Sequence, residues 1–343
     1  MTPKERVARA ARRQETDRVP LDFDAVPAVV ERLMREIGLA SVEELLRFVQ
    51  ADMRMVWSGE YTGPQRFTPD GRPADCWGML CEEPTYAEGI GFRPLSEIAT
   101  VDEVYAHDWP DPDDFVYSHV KPQCEEQSFY SVRGSAWAPV FCQSCNLCGM
   151  ETMLGLMAAQ PEVAQAVLDC VTNVYFGINK RMFDAAEGGI DVCFMGDDYG
   201  TQRGMLVSPE MWRRMMKPNL ARLYGEARQR GLMTMHHSCG AICEIIPDLI
   251  EIGVQILDPI QVRAEGMDPV SLTAKFGDRL AFHGAVDTQS TLPYGDPDDV
   301  RAEVRELIRV LGAGGGYILS GSQWLTDDIP TANIVAMYEE AIL

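Results

Sequence analysis

His237 and Cys239 stand two residues apart where an apolar run ends, in the stretch MTMHHSCGAIC that opens at Met233. On an extended strand a spacing of two turns both side chains to one face. An imidazole nitrogen beside a thiolate is a borderline-soft donor pair that suits Zn2+, and a catalytic zinc takes three protein ligands while keeping a fourth position open. The same spacing also fits a buried histidine hydrogen-bonded beside a small apolar thiol. His236 alternates to the other face and reads as structural. Cys243, one helical turn beyond Cys239, reads as a core cysteine rather than a ligand.

A second cluster of chemistry-bearing residues is Gly196-Asp197-Asp198-Tyr199-Gly200. Adjacent carboxylates at a strand end can supply one metal ligand, or a base with its neighbour orienting it. In a low-dielectric pocket the two would resist ionising together. Loop solvation and helix capping is the plainer use of such a pair. Cys142, Cys145 and Cys148 form C-x2-C-x2-C, but a four-cysteine iron–sulfur cluster lacks an obvious fourth ligand here. The surrounding CQSCNLCGMETMLGLMAAQ reads as a helix with these cysteines on one broad face, packed into the core. The glycine-rich GAGGGY at 312–317 lacks the Lys-Ser/Thr of a phosphate-binding loop and reads as a tight turn.

These groups need elements to hold them, and a unit recurs along the chain: a short β-rich apolar run, a loop, then a helix-period segment. Strands are expected at 19–25, 52–58, 130–137, 190–198, 232–240, 254–260, 280–287 and 316–322, with helical stretches at 26–49, 160–187, 209–230, 241–252 and 297–312. Pro209 and Pro297 sit at helix starts behind a capping Ser or Asp. Eight strands alternating with helices predict an α/β (β/α)8 barrel, with a doubly wound open sheet as the alternative. The rhythm breaks at 59–129, which is rich in Gly, Pro, Asp and aromatics; it reads as a cap inserted over one barrel mouth within a single domain spanning 1–343. A barrel site lies at the C-terminal strand ends. Asp197, Asp198 and Tyr199 are the candidate catalytic groups there. Asp22, Asp24, Trp57, Trp137, Gln261, His283 and Asp287 are candidates for binding substrate. Asp258, Ser135, Ser320 and Ser322 stand on the same rim, and Arg133 and Arg203 are cations within reach of its aspartates.

The bulk numbers bound the partners. The chain has 343 residues, 46% of them hydrophobic, and a formal net charge of −22. Such a charge repels nucleic acid and anionic membrane surfaces. No apolar run reaches the ~18 residues of a membrane helix, and MTPKERVARAARRQE has no apolar core for a signal peptide. The expected location is cytoplasmic, where ten cysteines are thiols or metal ligands rather than disulfides. A homodimer stays open.

The segments HHSCGAICEIIPDLIEIGVQILDPIQVRAEGMDP, FGDRLAFHGAVDTQSTLP and GGGYILSGS…DDIPTANIVAMYE, with GDDYGTQRGMLVSPEMWRRMMKPNLARLY and WPDPDDFVYS upstream, resemble the uroporphyrinogen decarboxylase superfamily. The resemblance runs from about residue 16 to the C-terminus and implies a (β/α)8 barrel. True decarboxylases of that superfamily carry an arginine-rich N-terminal segment for a polycarboxylate and a histidine after the last strand. Here RVPLDFDAVP has two aspartates and no paired arginines, and Gly321-Ser322 stands in place of the histidine. The other branch, the cobalamin-dependent methyltransferases, carries a His-x-Cys motif that supplies two zinc ligands, and His237 and Cys239 match it. The coenzyme M enzymes of that branch add a third cysteine after the last strand, where this chain has ILSGSQW. A carboxylate, Asp198 before Asp197, is then the candidate third ligand. The resemblance implies zinc-dependent transfer of a methyl group from a methoxylated, aromatic substrate to the cobalt of a partner corrinoid protein. The alternatives are transfer from a methylcorrinoid to a thiol or folate, a decarboxylase-type lyase, and a non-catalytic binding homologue.

Overall fold

A computed structural model describes residues 1–81 and 89–343. At its centre is a parallel sheet of seven strands in sequential order: β1 (Met53–Trp57), β2 (Ser131–Ser135), β3 (Val192–Gly196), β4 (Met233–His237), β5 (Ile256–Ile260), β6 (Ala281–Val286) and β7 (Tyr317–Gly321). Parallel neighbours need crossovers, and the connections carry helices that surround the curled sheet, among them Pro161–Ala186, Lys217–Gln229 and Pro297–Leu311. The expected helix starts at Pro209 and Pro297 are present, with Ser208 and Asp296 accepting from the first-turn backbone.

The expected strand at 19–25 is not formed. Only isolated bridges pair Leu21 with Leu319 and Ala25 with Leu325. Its hydrogen bonds nonetheless run both ways: Leu319 N donates to Pro20 O at 2.8 Å, Asp22 N to Leu319 O at 3.0 Å, and Asp52 N to Leu21 O at 2.7 Å. Pro20 brings no N–H to a ladder, which limits this segment to single bridges. The sheet therefore counts seven strands where eight were expected.

Alternation sorts the strands' inner face by height. Met53, Val192, Phe194, Met235, Ile256, Ala281 and Ile318 form one apolar cluster with Val7, Ala10 and Ala11 of the helix Pro3–Ala11. This N-terminal helix seals the interior, and its Arg6 pairs with Asp17 and with the fully buried Asp52. Two residues further along β4 to β7 the same face turns polar, with His237, Asp258, His283 and Ser320, and β2 adds Arg133 to this layer; all five are buried. An apolar floor under a polar upper layer is what gives the site its position.

Within 59–129 the described residues form two small antiparallel pairings, Arg66–Phe67 with Pro73–Ala74 and Leu80–Cys81 with Ile90–Phe92, followed by the short helices Val101–Ala106 and Val120–Glu126. Residues 82–88 of this expected insertion lie outside the described residues. Trp77 is buried against Tyr175 of the helix Pro161–Ala186 and against Trp109. This aromatic is core packing between the insertion and the outer helix layer. No helix among the described residues is long and apolar enough to cross a membrane.

Candidate metal centre

Strand β4 presents Met233, Met235 and His237 to the interior, and His236 to the opposite side. There His236 bonds the Tyr224 hydroxyl at 2.8 Å and stacks on Tyr199. Burial drives its pKa down to about 3, so it stays neutral. His237 faces the polar layer. Its Nδ1 lies 2.6 Å from Asp258 Oδ2, and its Nε2 points at Cys239 Sγ, 3.3 Å away, and at Asp198 Oδ1, 3.6 Å away. Asp198, His237 and Cys239 each offer one ligand atom, and these atoms lie within 4.8 Å of one another. Nitrogen, sulfur and carboxylate oxygen together form a tight set for a borderline-soft divalent metal. The carboxylate behind His237 fixes which ring nitrogen faces inward, as metal-ligating histidines require. The residues present fit such an ion.

The loops that carry the donors are built for close approach. Gly240 has φ +81, and a Cβ there would meet Gly200 backbone at 2.5 Å. At Gly196 a Cβ would fall 2.5 Å from His237 Cβ and 2.7 Å from the Trp137 ring. Trp137 packs on His237 with ring centroids 5.0 Å apart, and Trp57 meets Trp137 edge-on. Trp137 and Ala138 both hold positive φ, at 23° and 52°, strain of the kind that gathers at functional sites. Gln261 Oε1 accepts from Gly240 N at 3.0 Å and so steadies the Cys239 loop. Asp198 Oδ1 accepts from Cys239 N at 2.8 Å.

Behind His237 runs a buried chain of charges. Asp258 Oδ1 lies 2.5 Å from His283 Nδ1, His283 Nε2 lies 3.1 Å from Asp22 Oδ2, and Asp22 pairs with Arg133 at 2.8 Å. Arg133 also pairs with Asp24 and lies over the Phe194 ring. Burial would lower the basicity of both histidines, but the facing carboxylates outweigh it. In the metal-free protein His283 is raised to about 9 and His237 is raised well above its ordinary value. Burial would raise Asp258, yet the two imidazoles hold it well below the usual carboxylate range.

The adjacent acids part company. Asp198 is half-exposed at the metal-competent cluster. Asp197 is buried and turned to the start of the helix Val140–Cys148, accepting from Phe141 N and from Cys142 N at 2.8 Å, and from the Tyr199 hydroxyl at 3.1 Å. Burial lifts its carboxyl to about 7 against those bonds. Asp197 and Tyr199 thus form a clamp away from the ligand atoms. The helix they cap carries Cys145 and Cys148 in the hydrophobic core and Cys142 packed against it, and burial pushes all three thiols up, Cys148 to about 12. Asp287 pairs with Arg263 and caps Gln289 N. His237, Asp258 and His283 line one narrow cleft with Asp24, Phe194, Ser320 and Trp324.

Three functional positions escaped the sequence reading. Asp258 and Arg133 were legible only as rim groups, without the pairing that makes them the backing of His237 and His283. Gln323, whose Nε2 lies 3.0 Å from Cys239 Sγ, gave no signal in the sequence.

Residues 97–342, well over half of the chain, match the family model described as uroporphyrinogen decarboxylase. Among solved structures the chain is similar to a methyltransferase from Methanosarcina mazei, with 18% identity, a TM-score of 0.68, and coverage of 100% of this chain and 98% of that one. Similarity to an L-ribulose 3-epimerase (10% identity, 95% and 93% covered) has a TM-score of 0.45. For the Xanthomonas albilineans dihydropteroate synthase (16% identity, 49% and 57% covered) the score is 0.33. Both scores are too low to carry an argument. No curated protein matches the chain.

Proposed function

The chain belongs to the uroporphyrinogen decarboxylase family, and from that premise we propose that it is a zinc-dependent methyltransferase. It takes a methyl group from a methoxylated aromatic compound and passes it to the cobalt of a separate corrinoid protein. The observation that carries this reading is the convergence of Asp198, His237 and Cys239, with Asp258 behind the imidazole. Zinc held there supplies Lewis acidity toward the methyl-bearing oxygen. The chain's own residues do the rest. Asp258 engages Nδ1 of His237 and so leaves Nε2 aimed inward as the ligand atom, Asp198 adds a hard oxygen donor suited to an oxygen substrate, and Gln261 and Gly240 hold the sulfur's loop. Trp57, Trp137 and Trp324 offer flat apolar walls near the cleft for an aromatic body. Residues 19–25, bonded on both sides, are read as the eighth stave of a (β/α)8 barrel.

The charge distribution favours methyl transfer over decarboxylation of a polycarboxylate. Arg133, the buried cation nearest the cleft, is already answered by Asp22 and Asp24, so it has no charge to spare for an anionic substrate. The test is a substrate panel with a reduced corrinoid protein, followed through the cobalt spectrum. Methoxyarenes, methanol, methylamines and uroporphyrinogen are offered, and zinc content is measured alongside. Expected are about one zinc per chain, demethylation of a methoxyarene, and loss of both in His237→Ala. Activity confined to methylamines or to uroporphyrinogen, or a zinc-free active protein, sinks the reading.

A further inference from the structure

We propose that Gln323 is a positioning residue for the Cys239 sulfur, setting both its direction and its electron density. This rests on the reading of Asp198, His237 and Cys239 as a metal site. Gln323 lies two residues beyond the end of β7, half-buried on the lip of the cleft that His237 and Asp258 line. Its Nε2 donates to Cys239 Sγ at 3.0 Å. The orientation of an amide is decided by its partners, and here they leave one choice. Oε1 accepts from Trp324 N at 2.9 Å. Turning the amide over would set an NH2 group against that backbone N–H. The donor end is therefore locked on the sulfur.

His237 Nε2 also lies near the sulfur, at 3.3 Å. A ligand nitrogen engaged with a metal no longer takes part in hydrogen bonding, so among the described residues Gln323 remains the side-chain donor on the thiolate. Two effects follow from an N–H···S bond. The sulfur is held in one direction, which lowers the ordering cost of metal binding. Electron density is drawn from the thiolate toward the donor, so a bound ion keeps more of its positive charge. Groups that orient and polarise a ligand in this way typically shift metal affinity or activity by 10–100-fold when removed.

The experiment uses the full-length protein loaded with Co2+ alone. Gln323→Leu removes the donor at similar volume, and Gln323→Ser supplies a hydroxyl too short to reach the sulfur. Folding of both is followed by circular dichroism. The wild type is expected to bind Co2+ with a thiolate-to-cobalt charge-transfer band. In either variant that band moves to lower energy, because the freed sulfur gives up an electron more easily, and affinity by chelator competition falls by about tenfold. A purely structural loop residue would not move the band. A folded variant with the wild-type band and affinity within about twofold of wild type overturns the proposal and leaves the metal reading standing. A wild type that takes up no Co2+ overturns the metal reading and the proposal together.

Discussion

Asp258→Asn is the most informative single change in the polar layer. The carboxylate is buried and shared, with one oxygen 2.6 Å from His237 Nδ1 and the other 2.5 Å from His283 Nδ1. Asparagine keeps the shape but has one oxygen and one NH2, so it can accept from only one of the two rings. The ring left facing the NH2 must present an unprotonated Nδ1. If that ring is His237, its proton moves to Nε2, the atom aimed at Cys239 and Asp198. If it is His283, the ring loses its positive charge and keeps a proton only on Nε2, toward Asp22. The first outcome blocks the metal-ligating nitrogen and the second leaves the buried Asp22 with a neutral partner in place of a charged one. Loss of such a backing group costs about 10–100-fold in metal affinity, or about 1.4–2.7 kcal/mol. Removing an acceptor from a buried donor costs about 1–3 kcal/mol of fold stability. Chelator competition with zinc reads the first figure, and urea unfolding of the metal-free protein reads the second. Zinc affinity within about twofold of wild type in a folded Asp258→Asn protein would refute the argument that Asp258 fixes the tautomer of His237.

His283 makes stability depend on pH. Its folded pKa, about 9, lies above the ordinary 6.5, so the folded state binds its proton more tightly and the stabilisation is full below 6.5. It is lost as pH rises through 9, by at most about 1.4 kcal/mol per pH unit. Unfolding of the metal-free protein between pH 6 and 9.5 should show this fall in wild type and a flatter profile in His283→Gln; parallel profiles would contradict the assignment. Asp197→Ala should destabilise the fold by at least about 2 kcal/mol by stranding Phe141 N, Cys142 N and the Tyr199 hydroxyl. Asp198→Ala should instead spare stability and weaken zinc binding; the reverse pattern in denaturation and metal titrations would show that the two acids had been assigned the wrong way round. In Gly240→Ala a side chain is forced on a left-handed residue 2.5 Å from Gly200 backbone. Its melting temperature and its metal affinity should both drop, since the strain of ~1–2 kcal/mol falls on the Cys239 loop; a wild-type melting curve would argue against the tight approach.

Much of this molecule was written locally. Short apolar runs bounded by glycine and proline locate all seven sheet strands within three residues at each end, because a parallel strand buried on both faces is a continuous apolar run that a short window contains. His237 and Cys239 were legible locally as well: Cys239 lies two residues beyond the end of β4 rather than on it, and the short spacing still brings its Sγ to 3.3 Å from His237 Nε2. The first expected strand failed on a local rule as well. Pro20 withholds a backbone donor, and the segment makes bridges where a ladder was expected. What the sequence left open was partnership across the sheet. Asp197 and Asp198 are neighbours of the same type, and only the approach of the helix Val140–Cys148 sends one to a helix start and leaves the other beside Cys239. Asp22, Arg133, Asp258 and His283 come from four separate stretches, and their mutual distances exist only once the sheet curls. Gln323 stands 84 residues from the cysteine whose sulfur it meets. Charge pairing and hydrogen bonding act through space over a few ångströms, so residues distant along the chain acquire their roles from the fold that closes those distances.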